Sequence, residues 1–169
     1  MPRRRAARRP GFAPRVTLDV RVADGEGDDA FVKHLGRRCA MSSVASLRPA
    51  GESDVRAAFD RLYDIVGDQS HVTLIAERGG ERVGFLLLLD RLPDEVTLRP
   101  QAFVAYMAVE PRVRGSGVGT ALLAAAENEA RRRLLPYMAL MVTEENEAAR
   151  RLYERAGYRT ERRLLCKTL

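Results

Sequence analysis

A glycine-rich segment is the part of the sequence best suited to chemistry. Residues 114–120 read Arg-Gly-Ser-Gly-Val-Gly-Thr and connect a β-rich run to a helical pattern. Glycine lacks a Cβ, so the backbone amides of such a loop can approach an anion closely, and the start of the following helix adds partial positive charge. We therefore predict a site for a phosphate or diphosphate here rather than a plain connector.

Two well-known phosphate loops fit this segment poorly. A Walker loop needs Lys and then Ser or Thr after its last glycine, whereas Thr120 and Ala121 follow Gly119. A dinucleotide-binding loop needs a glycine where Thr120 stands and a first glycine directly at the strand end. The Walker interpretation fails, while the dinucleotide one stays open as an oxidoreductase alternative, with Glu144 as the candidate ribose-binding acid.

A third kind of loop fits residue by residue. Residues 114–119 match the pattern Arg/Gln-x-x-Gly-x-Gly/Ala and resemble the acyl-coenzyme A signature of the GNAT superfamily of N-acetyltransferases. Residues 146–158 resemble that family's second motif, which has an Asn, a small residue, Leu-Tyr and Gly-aromatic. The order of predicted elements resembles the GNAT fold over nearly the whole chain beyond the basic N-terminus.

This resemblance implies an acetyl-CoA-dependent N-acetyltransferase. Acetyl-CoA is then the co-substrate, no metal is needed, and the acetyl group passes to a primary amine of a small molecule or protein by direct attack in a ternary complex. The resemblance also implies that Tyr153 protonates the departing thiolate and that Asn146 contacts the cofactor arm. The implied cofactor-binding residues are Met107, Ala108, Val109, Arg114, Gly115, Ser116, Gly117, Val118, Gly119, Thr120 and Asn146.

The general base is the part of this chemistry that the sequence leaves open. An amine of pKa ~10.4 must lose a proton before it can attack, which costs about 4–5 kcal/mol at neutral pH. Some relatives place a glutamate early in the strand that corresponds to residues 102–105, but these residues are all apolar here. Glu77, His71 and a relayed water remain candidates, whereas Glu110 precedes Pro111 at a turn and is interpreted as structural.

Hydrophobic periodicity predicts the elements that position these residues. Strands are predicted at residues 16–23, 71–78, 82–90, 102–109, 137–142 and 163–169, and helices at 28–39, 52–66, 117–134 and 146–156. Gly79 and Gly80 suit a two-residue hairpin turn, and Ser53 is a candidate N-cap. Loops 40–51 and 92–101 are expected to contribute the acceptor pocket.

The predicted fold class is α/β (α+β), with a mixed, mostly antiparallel central sheet. The apolar run Phe85–Leu89 shows no polar alternation, so both faces of its strand need cover. We therefore expect helices on both faces of the sheet.

Composition predicts a single domain at residues 16–169 behind a basic tail at residues 1–15. The chain of 169 residues is 46% hydrophobic and 31% charged and carries a net charge of +6. All of that excess comes from six arginines in the tail, since 23 basic and 23 acidic residues balance in the remainder. We expect a solvated extension that binds no nucleic acid; the alternative is a non-catalytic acyl-CoA-binding or nucleic-acid-binding module that uses the tail.

The remaining features predict the cellular setting. Cys39 and Cys166 lack metal-ligand spacing and are interpreted as free thiols in a reducing compartment. No apolar run approaches the ~20 residues that span a bilayer, and the N-terminus lacks the apolar stretch of a signal peptide. These features predict a cytoplasmic protein without membrane contact, as a monomer or homodimer.

Overall fold

A computed structural model describes residues 17–169, so the basic tail at residues 1–15 lies outside the described part. The elements in chain order are β1 (Leu18–Val22), α1 (Glu26–Cys39), α2 (Glu52–Gly67), β2 (His71–Arg78), β3 (Glu81–Pro93), β4 (Pro100–Val109), α3 (Val118–Arg132), β5 (Met138–Leu140) and α4 (Glu147–Arg155). Short 3₁₀ turns at Ala40–Ser43 and Pro111–Val113 follow α1 and β4.

The five strands form one sheet in the order β1-β2-β3-β4-β5. The first three pairings are antiparallel, and only β5 runs parallel to its neighbour, β4. The parallel pair is joined through α3, as a parallel connection requires a crossover. The predicted mixed, mostly antiparallel sheet is confirmed.

The apolar run in β3 divides the core into two layers. Phe85, Leu87 and Leu89 pack with α1 and α2, whereas Leu86 and Leu88 pack with α3. Successive strand residues point to opposite faces, so an unbroken apolar run fills both layers at once. The expectation of helices on both faces is confirmed.

A buried ion-pair cluster fixes the start of α1 against the sheet. The Asp28 side chain is fully buried and accepts hydrogen bonds from Arg21 at 2.5 Å and from Arg82 at 2.5 Å. The backbone amide of Asp24 also donates to this carboxylate, at 2.7 Å. Hydrogen bonding to the Arg21 guanidinium is the main reason that the pKa of Asp28 lies well below its usual range.

Two local expectations prove wrong. Residues 163–169 form no strand, because a strand needs a pairing partner and no strand of the described sheet pairs with this segment. Ser53 is not an N-cap, because α2 already begins at Glu52, so that Gly51 occupies the cap position without a side-chain hydrogen bond. Among residues 17–169, no helix has the length and apolarity needed to cross a bilayer.

Candidate functional site

The parallel strands β4 and β5 separate after a short pairing. Only residues 102–104 of β4 pair with residues 138–140 of β5, whereas β4 continues to Val109. The remainder of β4 therefore has a strand partner on one side only, that of β3. We call the resulting opening beside residues 105–109 the slot.

A β-bulge lies at the closed end of the slot. Leu87 pairs with Tyr106 and Leu88 pairs with Val104, which leaves Ala105 as the extra residue in β4. A bulge of this kind bends the strand and increases its local twist. Tyr106 follows it directly and stacks on Phe85, with ring centroids 6.0 Å apart.

The direction of the backbone groups next to the slot follows from one hydrogen bond. The Glu110 amide donates to the Val83 carbonyl at 2.9 Å, which makes Val109 and Gly84 a non-hydrogen-bonded antiparallel pair. Val109 and Met107 therefore direct their amide and carbonyl groups away from β3, into the slot. Ala108 directs its own towards β3. The Val109 carbonyl accepts a hydrogen bond from Arg114 Nε, so the groups left free towards the slot are the Val109 amide and both backbone groups of Met107.

The glycine-rich loop presents a run of unpaired amides at the start of α3. The Arg114 amide donates to the Pro111 carbonyl at 3.3 Å, and the Ala121 amide donates to Gly117 at 3.0 Å. Within the described residues, none of the six amides between them, those of residues 115–120, donates a hydrogen bond. The unpaired run therefore covers all of the glycine-rich segment 114–120 except Arg114.

The three glycines of the loop serve two purposes. Gly115 has φ +74° and Gly117 has φ +90°, and a Cβ on either would meet no atom within 4 Å. These two provide left-handed backbone and open space in front of the amides. Gly119 is helical instead, and a Cβ there would lie 2.9 Å from Cδ2 of Leu152, so its small size lets α4 pack against α3.

The Arg114 side chain turns back over the strand. Its Nε donates to the Val109 carbonyl at 3.2 Å, and its Nη2 lies 3.4 Å from Sγ of the buried Cys39. Ser116, in the loop, donates from Oγ to the Val113 carbonyl at 2.5 Å, and its own carbonyl accepts from Arg78 at 2.9 Å. These contacts hold the loop without using its free amides.

Asn146 caps α4 and ties it to the region after α1. Its Oδ1 accepts from the Ala149 amide at 3.2 Å, and its Nδ2 donates to the Ser42 carbonyl at 3.3 Å. Asn146 is the N-cap that precedes the first helical residue, Glu147. Its side chain is engaged by the helix and by Ser42.

Two further contacts reinforce that bridge. Thr143 Oγ1 donates to the Ser43 carbonyl at 2.8 Å, and Ser46 donates from Oγ to Glu145 at 2.6 Å. We call residues 42–46 together with residues 143–146 the strap. A pocket of about 300 Å³ lies beside it, lined by Met41, Val44, Ala45, Ser46, Pro49, Ala50 and Glu145.

Tyr153 lies on α4 in partly buried surroundings. Its ring contacts that of Tyr158 edge-on, with centroids 5.9 Å apart. Burial raises the pKa of Tyr153, so its hydroxyl keeps its proton at neutral pH. Among the hydrogen bonds of the described residues, none involves this hydroxyl, which leaves its proton available for donation.

The candidate bases lie in unsuitable places. Glu77 accepts from Arg21 at 2.5 Å and is held in the ion-pair cluster. His71 pairs with Leu89, at the end of the sheet opposite the glycine-rich loop. Glu110 is largely buried and accepts from Arg38 at 3.3 Å, in agreement with its structural interpretation.

Sequence reasoning missed three residues near the slot. Tyr106 was hidden in an apolar strand, and burial raises its pKa to about 12. The Cys39 sulfur lies next to the Arg114 guanidinium, and the Ser42 carbonyl accepts a hydrogen bond from the Asn146 side chain. A tyrosine in an otherwise apolar strand was the one signal for Tyr106. Cys39 and Ser42 gave none, because their contacts join segments that are far apart in the sequence.

Comparisons with known proteins show the family and the fold. Residues 42–158 match the Acetyltransferase (GNAT) family. A putative acetyl transferase from Pyrococcus furiosus is 25% identical, with a TM-score of 0.74 over 89% of this chain and 100% of that one. A search of curated proteins finds no match.

Two more distant solved structures share the fold. A ribosomal-protein-alanine N-acetyltransferase from Brucella melitensis biovar Abortus 2308 is 23% identical, with a TM-score of 0.65 over 90% of this chain and 100% of that one. The aminoglycoside N-acetyltransferase AAC(6')-Iy, solved in complex with CoA, is 18% identical, with a TM-score of 0.63 over 94% of this chain and 99% of that one. The family match covers well over half of the chain, and this protein therefore belongs to the GNAT family of acetyltransferases.

Proposed function

We propose that this protein transfers an acetyl group from acetyl-CoA to a primary amine of a small molecule or protein by direct attack in a ternary complex. The unpaired amides of residues 115–120 are the observation that carries this proposal. Unpaired backbone amides at the start of a helix favour binding of a diphosphate, because their N–H groups and the helix dipole both attract negative charge. The open space in front of Gly115 and Gly117 leaves room for it.

The slot suits the pantetheine arm of the cofactor. The arm contains amide groups, which can pair with the free backbone groups of Met107 and with the Val109 amide much as an added strand would. Ala108 offers the arm no backbone hydrogen bond, since its amide and carbonyl groups point towards β3. Of the residues implied by the family resemblance, Arg114 and Asn146 support the site indirectly, through Val109 and through the strap.

Tyr153 is the candidate acid. When the amine attacks, the C–N bond forms, the C–S bond breaks, and the departing thiolate takes the phenolic proton of Tyr153. The nitrogen releases a proton to solvent as the amide forms, and the Tyr153 phenolate regains one from solvent. Its raised pKa keeps this proton in place until the thiolate develops.

None of the three candidate bases is placed to take the proton of the amine. Glu77 and Glu110 are held by arginines, and His71 lies at the far end of the sheet. We infer that ordered water carries the proton from the acceptor ammonium to bulk solvent. Activity should therefore rise with pH towards the pKa of the acceptor amine itself.

Thermal unfolding with and without coenzyme A tests the binding half of this proposal. At about 100 times the dissociation constant, a ligand stabilises the folded state by ~2.7 kcal/mol, which corresponds to a Tm increase of roughly 5–10 °C for a domain of this size. Absence of a shift at millimolar coenzyme A would refute the proposed site.

A Tyr153→Phe variant tests the chemical half. Removal of the acid should lower kcat by up to ~10²–10⁴-fold and leave the affinity for coenzyme A unchanged. Tyr63→Phe is the matched control, because Tyr63 is a tyrosine whose hydroxyl bonds to Asp29, between α1 and α2. Equal kcat values for the two variants would remove Tyr153 from the acid role.

A further inference from the structure

The pocket beside the strap combines apolar side chains with one carboxylate. Five of its seven lining residues are apolar and a sixth is Ser46, so Glu145 is the one ionisable side chain among them. Its volume of about 300 Å³ is at the lower end of the range for small-molecule sites. Apolar side chains suit a hydrocarbon chain, and a carboxylate suits an ammonium group.

The charge of Glu145 is not neutralised within residues 17–169. Its acidic neighbours Glu144 and Glu147 each pair with an arginine of α4, both at 3.1 Å. Glu145 instead accepts hydrogen bonds from the Ser46 amide at 3.0 Å and from the Ser46 hydroxyl at 2.6 Å. These uncharged donors fix the orientation of the carboxylate but leave its negative charge available to a ligand.

Contacts of the strap place this pocket close to the slot and to Tyr153. The Ser43 side chain lies beside the Tyr106 hydroxyl, where its hydrogen bonding opposes the effect of burial on the pKa of that tyrosine. Asn146, which follows Glu145 in the chain, caps the helix that carries Tyr153. From the rise of a helix, Tyr153 lies roughly 9 Å beyond the first residue of α4. A small acceptor can therefore contact Glu145 and the slot at the same time only if its two polar ends are separated by a chain.

Glu145 suits an ammonium group that does not react. A carboxylate stabilises the protonated form of a nearby amine, whereas attack on the thioester requires the neutral form. Hydrogen bonds from Ser46 lower the pKa of Glu145, which makes this carboxylate a poor acceptor for the proton of the amine. A cation bound there consequently stays charged, and a second amine of the same molecule has to reach the acetyl group. A purely apolar end group would remove water from the carboxylate without replacing its hydrogen bonds.

We propose that the acceptor is a diamine or polyamine, which places one ammonium group at Glu145 and a second amine at the acetyl group in the slot. The inference rests on the proposed acetyltransferase function and names the class of its acceptor. The methylene chain between the two nitrogens lies against the apolar lining of the pocket. Acetylation of the second amine leaves the first one charged, so the product keeps its ion pair with Glu145.

Acetylation of matched amines tests this proposal. Straight-chain diamines of four to eight carbons are compared with monoamines of the same length, and thiol release from acetyl-CoA gives kcat/KM. The best diamine should exceed its monoamine by about fivefold or more, the factor expected of an exposed ion pair. The advantage should decrease as salt is added, because salt screens exposed charges.

A Glu145→Gln variant identifies the residue responsible. Glutamine can still accept hydrogen bonds from Ser46, so the strap is retained while the charge is removed. The ratio of diamine to monoamine kcat/KM should fall to about one. Glu147→Gln is the matched control, because Glu147 is an exposed acid two residues away that pairs with an arginine of α4 and lies outside the pocket. This control should keep the wild-type ratio.

Calorimetry of the same amines with the coenzyme A complex measures the site without turnover. Tighter binding of the diamine by wild type and by Glu147→Gln, but not by Glu145→Gln, would support the proposal even if transfer is slow. Equal binding of diamine and monoamine by the wild type would overturn it, as would an advantage that persists in Glu145→Gln. Acetylation of monoamines without any preference for diamines would refute the acceptor class alone, whereas absence of the Tm shift with coenzyme A would refute the proposed function itself.

Discussion

Replacing Gly117 by Ala separates the two tasks of the glycine-rich loop. Gly117 has φ +90° and ψ −4°, and its missing Cβ would meet no atom within 4 Å. An added methyl group therefore clashes with nothing in the protein, and its cost to folding is that of an L residue in left-handed backbone, about 1–2 kcal/mol. The same methyl group would stand in the open space that we assign to the diphosphate.

The expected loss of affinity is larger than the loss of stability. Displacing the diphosphate from one or two of the unpaired amides forfeits hydrogen bonds to a charged group, each worth ~1.5–3 kcal/mol. One such bond corresponds to about a 10- to 100-fold weaker Kd for coenzyme A. Pantetheine, which lacks the diphosphate, should bind the variant and the wild type equally.

Gly80→Ala is the control for this experiment. Gly80 lies in the β2–β3 hairpin with φ +82°, and it too has open space where a Cβ would stand. Both variants should lose similar stability in urea titrations, while calorimetry should show weaker coenzyme A binding for Gly117→Ala alone. If both variants bind coenzyme A as tightly as the wild type, the diphosphate does not occupy this loop.

Two further substitutions test the scaffold. In Gly36→Ala, the new Cβ would lie 1.9 Å from Cζ of Phe59. We expect the free energy of unfolding in urea to fall by at least ~1–3 kcal/mol and to recover in part when Phe59→Leu is added. A double variant without any recovery would contradict this packing. Asp28→Asn should cost ~2–3 kcal/mol at neutral pH, towards the low end for buried pairs because Arg21 and Arg82 are half-exposed. The pKa of Asp28 is lowered in the folded state, so its contribution to stability is complete above the unfolded pKa of 3.8 and declines below it. The unfolding free energies of variant and wild type should therefore converge in acid. A difference between them that does not change with pH would argue against the ion pair.

The sequence predicts most of the elements because their signals are local. The hairpin is clear in advance, since Gly79 and Gly80 can both adopt positive φ, and they have φ +58° and +82°. The unbroken apolar run in β3 likewise requires cover on both faces, whatever the partners are. Those features depend only on neighbours in the chain.

The C-terminal strand fails as a prediction because strand formation depends on a partner. Residues 163–169 have strand-forming residue types, but their pairing depends on an edge elsewhere in the molecule. Among the described residues, no strand edge pairs with this segment, so its residue types alone do not make it a strand.

The site itself was predictable to the extent that it consists of backbone. Alternating glycines before a helix indicate backbone amides without internal partners, and the unpaired amides are those of residues 115–120. The role of Arg114 was not predictable, because its side chain reaches Val109 and Cys39, which are brought together only by packing of α1 on β4. Asn146 is similar, since its contact with Ser42 joins segments far apart in sequence.

The backbone and the side chains of the proposed site depend differently on the sequence. The cofactor contacts that we propose for the amides of residues 115–120 and for Met107 and Val109 ask little of side-chain identity, so they tolerate substitutions. The strap and its pocket are built from side chains such as Thr143, Glu145 and Met41. Because those groups can vary without disturbing the amides, differences in acceptor among family members should originate at the strap rather than at the glycine-rich loop.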